Sequence, residues 1–192
     1  VTKMAVNLQK GQKISLNKEA GSALTQVVMG LGWDAAKKKG FLGFGGGSQD
    51  VDLDASCLMF DAGGVLVDAV WFRQLRSKDG SIEHTGDNRT GDGTGDDEQI
   101  KVALERVPAQ VTSLVFTVNC FTGQDFSQVA NAFCRILDGR SQQEVARYDL
   151  SVQGNHNAQI MAKLYRHNDE WKMHAIGENG QGRTFEDLMP QI

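Results

Sequence analysis

Proline is scarce in this 192-residue chain, at 2 residues, and cysteine stands at 3. Cys57, Cys120 and Cys134 are odd in number, lack CxxC spacing, and each lies in an apolar strand-like run. That pattern excludes a disulfide framework and a cysteine zinc site. The three read as small buried hydrophobes in a reducing compartment. No run of about 18 apolar residues occurs, so no transmembrane helix is expected. The opening stretch, Val1 to Val6, lacks the apolar core of a signal peptide, and a cytoplasmic location is the expectation. Lys and Arg number 20 against 24 Asp and Glu, with a pI near 5.5, which disfavours nucleic acid or an anionic membrane as the main partner. The glycine-rich run 40–48 has no Gly-Lys-Ser/Thr and leads into a strand, not a helix, so it is not a phosphate cradle of the nucleotide-binding kinds. No Ser–His–Asp or Cys–His set assembles, and His156, His167 and His174 sit in turns or hairpin strands as structural residues.

Glycine, by contrast, is abundant at 22 residues, and together with many Val, Thr and Phe it points to short strands joined by tight turns. Composition is that of one globular domain, 1–192, with its core over about 4–177 and a tail at 178–192. Strand-like patterns fall at 4–8, 13–16, 26–33, 50–60, 65–67, 71–75, 99–104, 113–121, 132–137, 145–150, 160–167 and 171–176. A helical turn is expected at 127–131, and a short, weakly anchored helix at 184–192. Residues 37–48, three lysines followed by Gly, Phe and Leu, read as a loop. The predicted fold class is all-β: a two-sheet β-sandwich with long loops and one or two short helices.

Two segments carry chemistry. The run His84 to Glu98 holds five acidic side chains, one Arg and four glycines, and no apolar residue follows Thr85 until Ile100. Its formal charge equals the −4 of the whole protein. The second segment is 50–60. Val51, Leu53, Ala55, Cys57 and Met59 share one strand face, and Asp50, Asp52, Asp54 and Ser56 the other. Three carboxylates on one face of a strand that enters the core need a counter-ion.

Oxygen-rich, thiol-free chemistry favours calcium, which takes about six to eight oxygens from carboxylates, amides, backbone carbonyls and water. Asp87, Asn88, Asp92, Asp96, Asp97 and Glu98 offer such oxygens, and Gly91, Gly93 and Gly95 can turn carbonyls inward. Strand geometry separates Asp50 from Asp54 by about 13 Å, too far for one ion, which points either to two of the aspartates serving one ion or to two neighbouring ions. The number of carboxylates favours two. An EF-hand is excluded because its sixth and twelfth positions fall on Ala55 and Asp61, flanked by strands. His84 borders the loop and reads as structural.

The motifs Gly30 to Asp34, Asp50 to Ser56, the run His84 to Ile100, Asn131-Ala132-Phe133-x-Arg135, Ala146 to Leu150, and Tyr165-Arg166-His167-Asn168-x-x-Trp171-Lys172 resemble those of the TerD family. The resemblance covers about residues 4–177. It implies a calcium-binding β-sandwich, usually with two adjacent ions, without enzymatic activity. It also implies a role in bacterial tellurium resistance and stress response alongside other Ter-family proteins, in a membrane-associated complex. The Lys37–Ser48 insert and the C-terminal end resemble the TerZ branch. The candidate metal set is Asp34, Asp50, Asp52, Asp54, Asp87, Asn88, Gly91, Asp92, Gly93, Asp96, Asp97 and Glu98. The competing readings are a metal-dependent hydrolase of phosphoesters or nucleotides using the same acids, and thiol chemistry through the cysteines.

Overall fold

Side chains alternate across a strand, and that period decides how this chain layers. Val51, Leu53, Ala55, Cys57 and Met59 are all buried in one large core between two sheets. Leu58 and Phe60, on the opposite face, join Val115, Ile160, Phe185 and Leu188 in a second, smaller cluster.

The computed structural model describes residues 5–35, 51–85, 96–122, 125–150 and 154–192. Among these, twelve strands form two six-stranded sheets. The first sheet contains β1 (Val6–Asn7), β3 (Gln26–Ala35), β6 (Ile82–His84), β7 (Glu98–Ala103), β9 (Val129–Asp138) and β10 (Glu144–Asp149), in the order β1-β10-β9-β3-β7-β6. The second contains β2 (Lys13–Ser15), β4 (Leu53–Asp61), β5 (Leu66–Val70), β8 (Val111–Cys120), β11 (Ala158–His167) and β12 (Glu170–Gly180), in the order β2-β12-β11-β8-β4-β5. Every pairing is antiparallel except β1 with β10. The all-β, two-sheet class expected from the sequence is the one observed.

Local chemistry fixes the turns. Asp61 Oδ1 accepts the N–H groups of Gly63 and Val65 and closes the β4–β5 hairpin. Asn168 and Asp169, at φ 50° and 61°, make the two-residue β11–β12 turn, the left-handed pair that matches strand twist.

Several segments depart from the periodic reading. Residues 71–75 form a tight turn, with Trp71 and Gln74 exchanging two backbone bonds. Ring packing wins there: Trp71 meets Phe185 at 5.0 Å and Phe72 meets Phe121 at 5.2 Å. The turn expected at 127–131 is a 3-10 turn, Phe126–Gln128, capped by Asp125 Oδ1, and β9 starts at Val129. The tail forms a 3-10 helix, Phe185–Gln191, and it is well anchored: Phe185 and Leu188 are buried. Besides a 3-10 turn at Leu104–Arg106, two elements among the described residues escaped the sequence. One is the helix α1, Leu16–Ala20, with Ser15 at its N-cap and Gly21 at φ 75° after it. The other is the three-residue β6.

Candidate metal centre

Strand register and packing bring the end of β3 and the starts of β4 and β7 together at one end of the sandwich. β3 runs toward Asp34, and antiparallel β7 begins beside it, with Leu31 opposite Glu98. Glu98, Ile100 and Val102 face the core, while Gln99 and Lys101 face out. Glu98 is therefore buried, at 2% exposure. β4 starts at this same end, and β5 pairs with it only from Cys57 to Phe60. The Ala55 N–H, beyond that ladder, donates to Glu98 Oε2 at 2.8 Å. One carboxylate thus joins the first sheet to the second. His84, at the end of β6 and also buried, places Nε2 3.2 Å from the same oxygen.

Trp33 ties in the rest. Its backbone N–H donates to Asp97 Oδ2 at 2.8 Å, and its indole Nε1–H donates to the Val51 carbonyl at 3.1 Å. The Asp97 N–H in turn donates to the Leu31 carbonyl. The start of β4, the end of β3 and the start of β7 are thereby held to one another. These bonds orient Asp97 and Glu98, and a carboxylate has about four acceptor positions in all.

Of the twelve candidate ligands, Asp50, Asp87, Asn88, Gly91, Asp92 and Gly93 lie outside the described residues. The other six, Asp34, Asp52, Asp54, Asp96, Asp97 and Glu98, are placed as follows. Asp34 is exposed, and its Oδ2 accepts from Asn131 Nδ2 at 2.9 Å. Asp52 is half-buried, with its carbonyl accepting the Phe121 N–H. Asp54 is buried on the outer face of the second sheet, opposite Asn119 in register. Asp96 is engaged by protein donors at both oxygens. Arg135 Nε and Nη2 bind Oδ1 and Oδ2 at 2.8 and 3.1 Å, and Gln99 Nε2 binds Oδ2 at 2.9 Å. This pair lies over Gly30, where a Cβ would overlap the carboxylate. Hydrogen bonding to Asp96 raises the Arg135 pKa, against the opposing effect of burial. Among the described residues, no three His, Cys, Asp or Glu side chains meet as a set able to hold a metal ion.

Sequence reasoning missed three features: the Trp33 indole bond, the Glu98–His84 contact and the Asp96–Arg135 pair. Arg135 stands in a motif quoted above, but its partner is 39 positions away. The cysteines are as expected. All three are buried, and burial raises the Cys57 thiol pKa and pushes that of Cys134 up to about 12.

The fold and this end define a class: a two-sheet β-sandwich in which Asp97 and Glu98 are bonded to β3 and β4 at one edge. The chain belongs to the TerD family, whose TerD domain matches residues 4–191. It is 49% identical over 188 residues to the tellurium resistance protein TerZ of Serratia marcescens, covering 97% of this chain and 96% of that one. It is 42% identical over 187 residues to TerD of the same organism, covering 93% of each, and 39% identical over 198 residues to the stress response protein SCP2 of Bacillus subtilis, covering 97% and 98%. The crystal structure of a protein of unknown function superimposes with a TM-score of 0.69 at 25% identity, over 88% of this chain and 98% of its own. A homologue of the telluride resistance protein TerD from Streptomyces coelicolor shares the fold, with a TM-score of 0.67 at 21% identity over 83% and 92%. The three sequence relatives are named for resistance and stress response, not for a reaction. Among the described residues, no helix is long and apolar enough to cross a membrane.

Proposed function

We propose that this chain is a calcium-binding β-sandwich that acts as an interaction module in bacterial resistance to tellurite and chemical stress. The observation that carries the reading is the junction of β3, β4 and β7. Glu98 Oε2 holds the Ala55 N–H, and Trp33 holds Asp97 and Val51, so Asp97 and Glu98 belong to one bonded corner with the backbone on either side of Asp52. The acidic segment enters the fold at that corner. The donor chemistry fits a hard divalent cation: carboxylate and carbonyl oxygens, with every thiol buried in the core. Asp52, Asp97 and Glu98 would hold the ions together with oxygens of Asp50, Asp87, Asn88 and Asp92, and the carboxylate count favours two ions. Calcium would neutralise the acidic end and couple its binding to stability.

Other Ter-family proteins, in a cytoplasmic or membrane-associated complex, are the proposed partners. Exposed Val65, Val67, Leu75 and Phe121 provide apolar surface of the kind that a protein partner covers. The test is thermal denaturation of the full chain with and without calcium, followed by co-purification with other Ter-family proteins in both conditions. Calcium is expected to raise the melting temperature and to strengthen association. An unchanged melting temperature at about 100 times any measured Kd would refute the site, because a native-state ligand must stabilise.

A further inference from the structure

β3 and β7 also have an opposite end, where Gln26 lies across from Ala103, about 16 Å along the strand from the Leu31–Glu98 pair. There the outer side of the first sheet holds a cleft of about 300 Å³. Its charged lining is Arg76, Lys101 and Arg106 against one carboxylate, Glu83, which leaves two positive charges in excess. Such a concentration is notable in a chain whose net charge is −4.

The two guanidinium groups converge. Arg76 Nη2 and Arg106 Nη2 lie 3.2 and 3.7 Å from one point, the position that a Cβ on Gly80 would take. Gly80 is at φ 79°, in the turn closed by its own N–H to the Ser77 carbonyl, so the backbone there suits glycine and the arginines close over it. Among the described residues, none of the three cations has a carboxylate within ion-pair reach; Glu83 faces Lys101 across the β6–β7 register without pairing to it. Converging like charges repel unless an anion sits between them.

A second, independent observation comes from Ser81, which lines the same cleft and is 3% exposed. Its N–H donates to Asp79 Oδ1 and its carbonyl accepts the Ala103 N–H. Its hydroxyl is buried with no hydrogen-bond partner. A buried hydroxyl left so is costly, and it is the group an entering acceptor would satisfy. Val28, 3% exposed, supplies apolar lining.

We propose that this cleft binds the phosphoryl group, or an equivalent tetrahedral oxyanion, of a small ligand. Arg76 and Arg106 would grip its non-bridging oxygens, Lys101 would add charge, and the Ser81 hydroxyl would donate the oriented bond. The volume exceeds one phosphate group and leaves room for further atoms of an organic phosphate.

The test is nuclear magnetic resonance on the isotope-labelled full chain, in calcium-free buffer. Inorganic phosphate, pyrophosphate and adenosine diphosphate are the probes, with sodium chloride at equal ionic strength as the control. Saturable shifts at Gly80, Ser81, Lys101 and Val102 are expected with at least one phosphate probe and not with chloride. Equal binding of phosphate and the nucleotide would identify the free anion as the ligand, and tighter nucleotide binding an organic phosphate. Arg76→Gln and Arg106→Gln should each weaken binding about tenfold or more, and Ser81→Ala several-fold, with melting temperatures unchanged. Asp52→Asn should leave this binding intact, which separates it from the calcium reading. No shift at about 10 mM pyrophosphate, shifts matched by chloride, or shifts unaltered by both Arg substitutions would overturn the proposal.

Discussion

Glu98 and Ala55 belong to different sheets, and the Glu98 carboxylate accepts the Ala55 N–H at 2.8 Å. A buried acid is thus the fastener at the open corner of the sandwich. Glu98→Ala removes the shared acceptor and should cost about 3 kcal/mol, measured by urea denaturation without calcium. Glu98→Gln keeps an oxygen for the Ala55 N–H and should cost about 1 kcal/mol. Equal losses for the two would show that the N–H bond is not what matters there.

Asp96 and Arg135 form a bidentate pair over Gly30, with the Asp96 side chain 2% and the Arg135 side chain 25% exposed. Arg135→Ala strands a buried carboxylate and should destabilise by about 2 kcal/mol without calcium. Gly30→Ala drives a methyl group into the same carboxylate and should cost a similar amount. The double variant should lose less than the sum, because both changes act on one contact. Additive losses would contradict the shared geometry.

Two histidines set a pH dependence. Burial lowers the pKa of His156 below 6.5, partly opposed by the Asp125 charge. Burial also lowers that of His174, reinforced by Lys13 and Lys163 and opposed by Glu178. The unfolded chain binds these protons more readily than the native one. Their contribution is therefore fully present above about pH 6.5 and is lost as pH falls from there through the folded pKa values. His156 has an added reason: its Nε2 is buried without a partner, and its ring packs edge-on to Phe126 at 4.8 Å. Denaturation midpoints at about pH 7.5 and about pH 5 should differ, and the His156→Gln/His174→Gln variant should flatten that difference. An unflattened profile would assign the loss to carboxylates.

The thiols should be silent. Cys57, Cys120 and Cys134 are each 0% exposed, and burial disfavours the thiolate at Cys57 and Cys134. A bulky disulfide reagent should label none of them in the native protein and all three after unfolding. Rapid native labelling would restore direct thiol chemistry as a mechanism.

Where a strand has one clear face, the sequence was easy to read. Asp50 to Phe60 showed an inner face through Met59 and an outer face that turned apolar at Leu58, and both are seen as separate clusters. The strands expected at 160–167 and 171–176 were legible because the Asn168-Asp169 turn that joins them is local chemistry. Residues 71–75 were not, because Trp71 and Phe72 take ring partners from Phe185 and Phe121, distant in sequence. The tail was misjudged for the same reason: nothing local reveals that Phe185 and Leu188 have a pocket waiting. At the acidic end, residue types singled out the segments but not the different bonds that their members make. Asp96, Asp97 and Glu98 are consecutive, yet they reach Arg135, Trp33 and Ala55. Only the register of β7 against β3, and its packing onto β4 of the other sheet, separates those destinations.

The central claim is that the acidic end, where Asp97 and Glu98 are bonded to β3 and β4 beside Asp52, binds calcium. Calorimetric titration of the full chain with calcium, repeated on Asp52→Asn, tests it most directly. The account predicts saturable binding with about two ions per chain, and a weakened isotherm in the variant. No binding heat at millimolar calcium, together with an unmoved melting temperature, would contradict it.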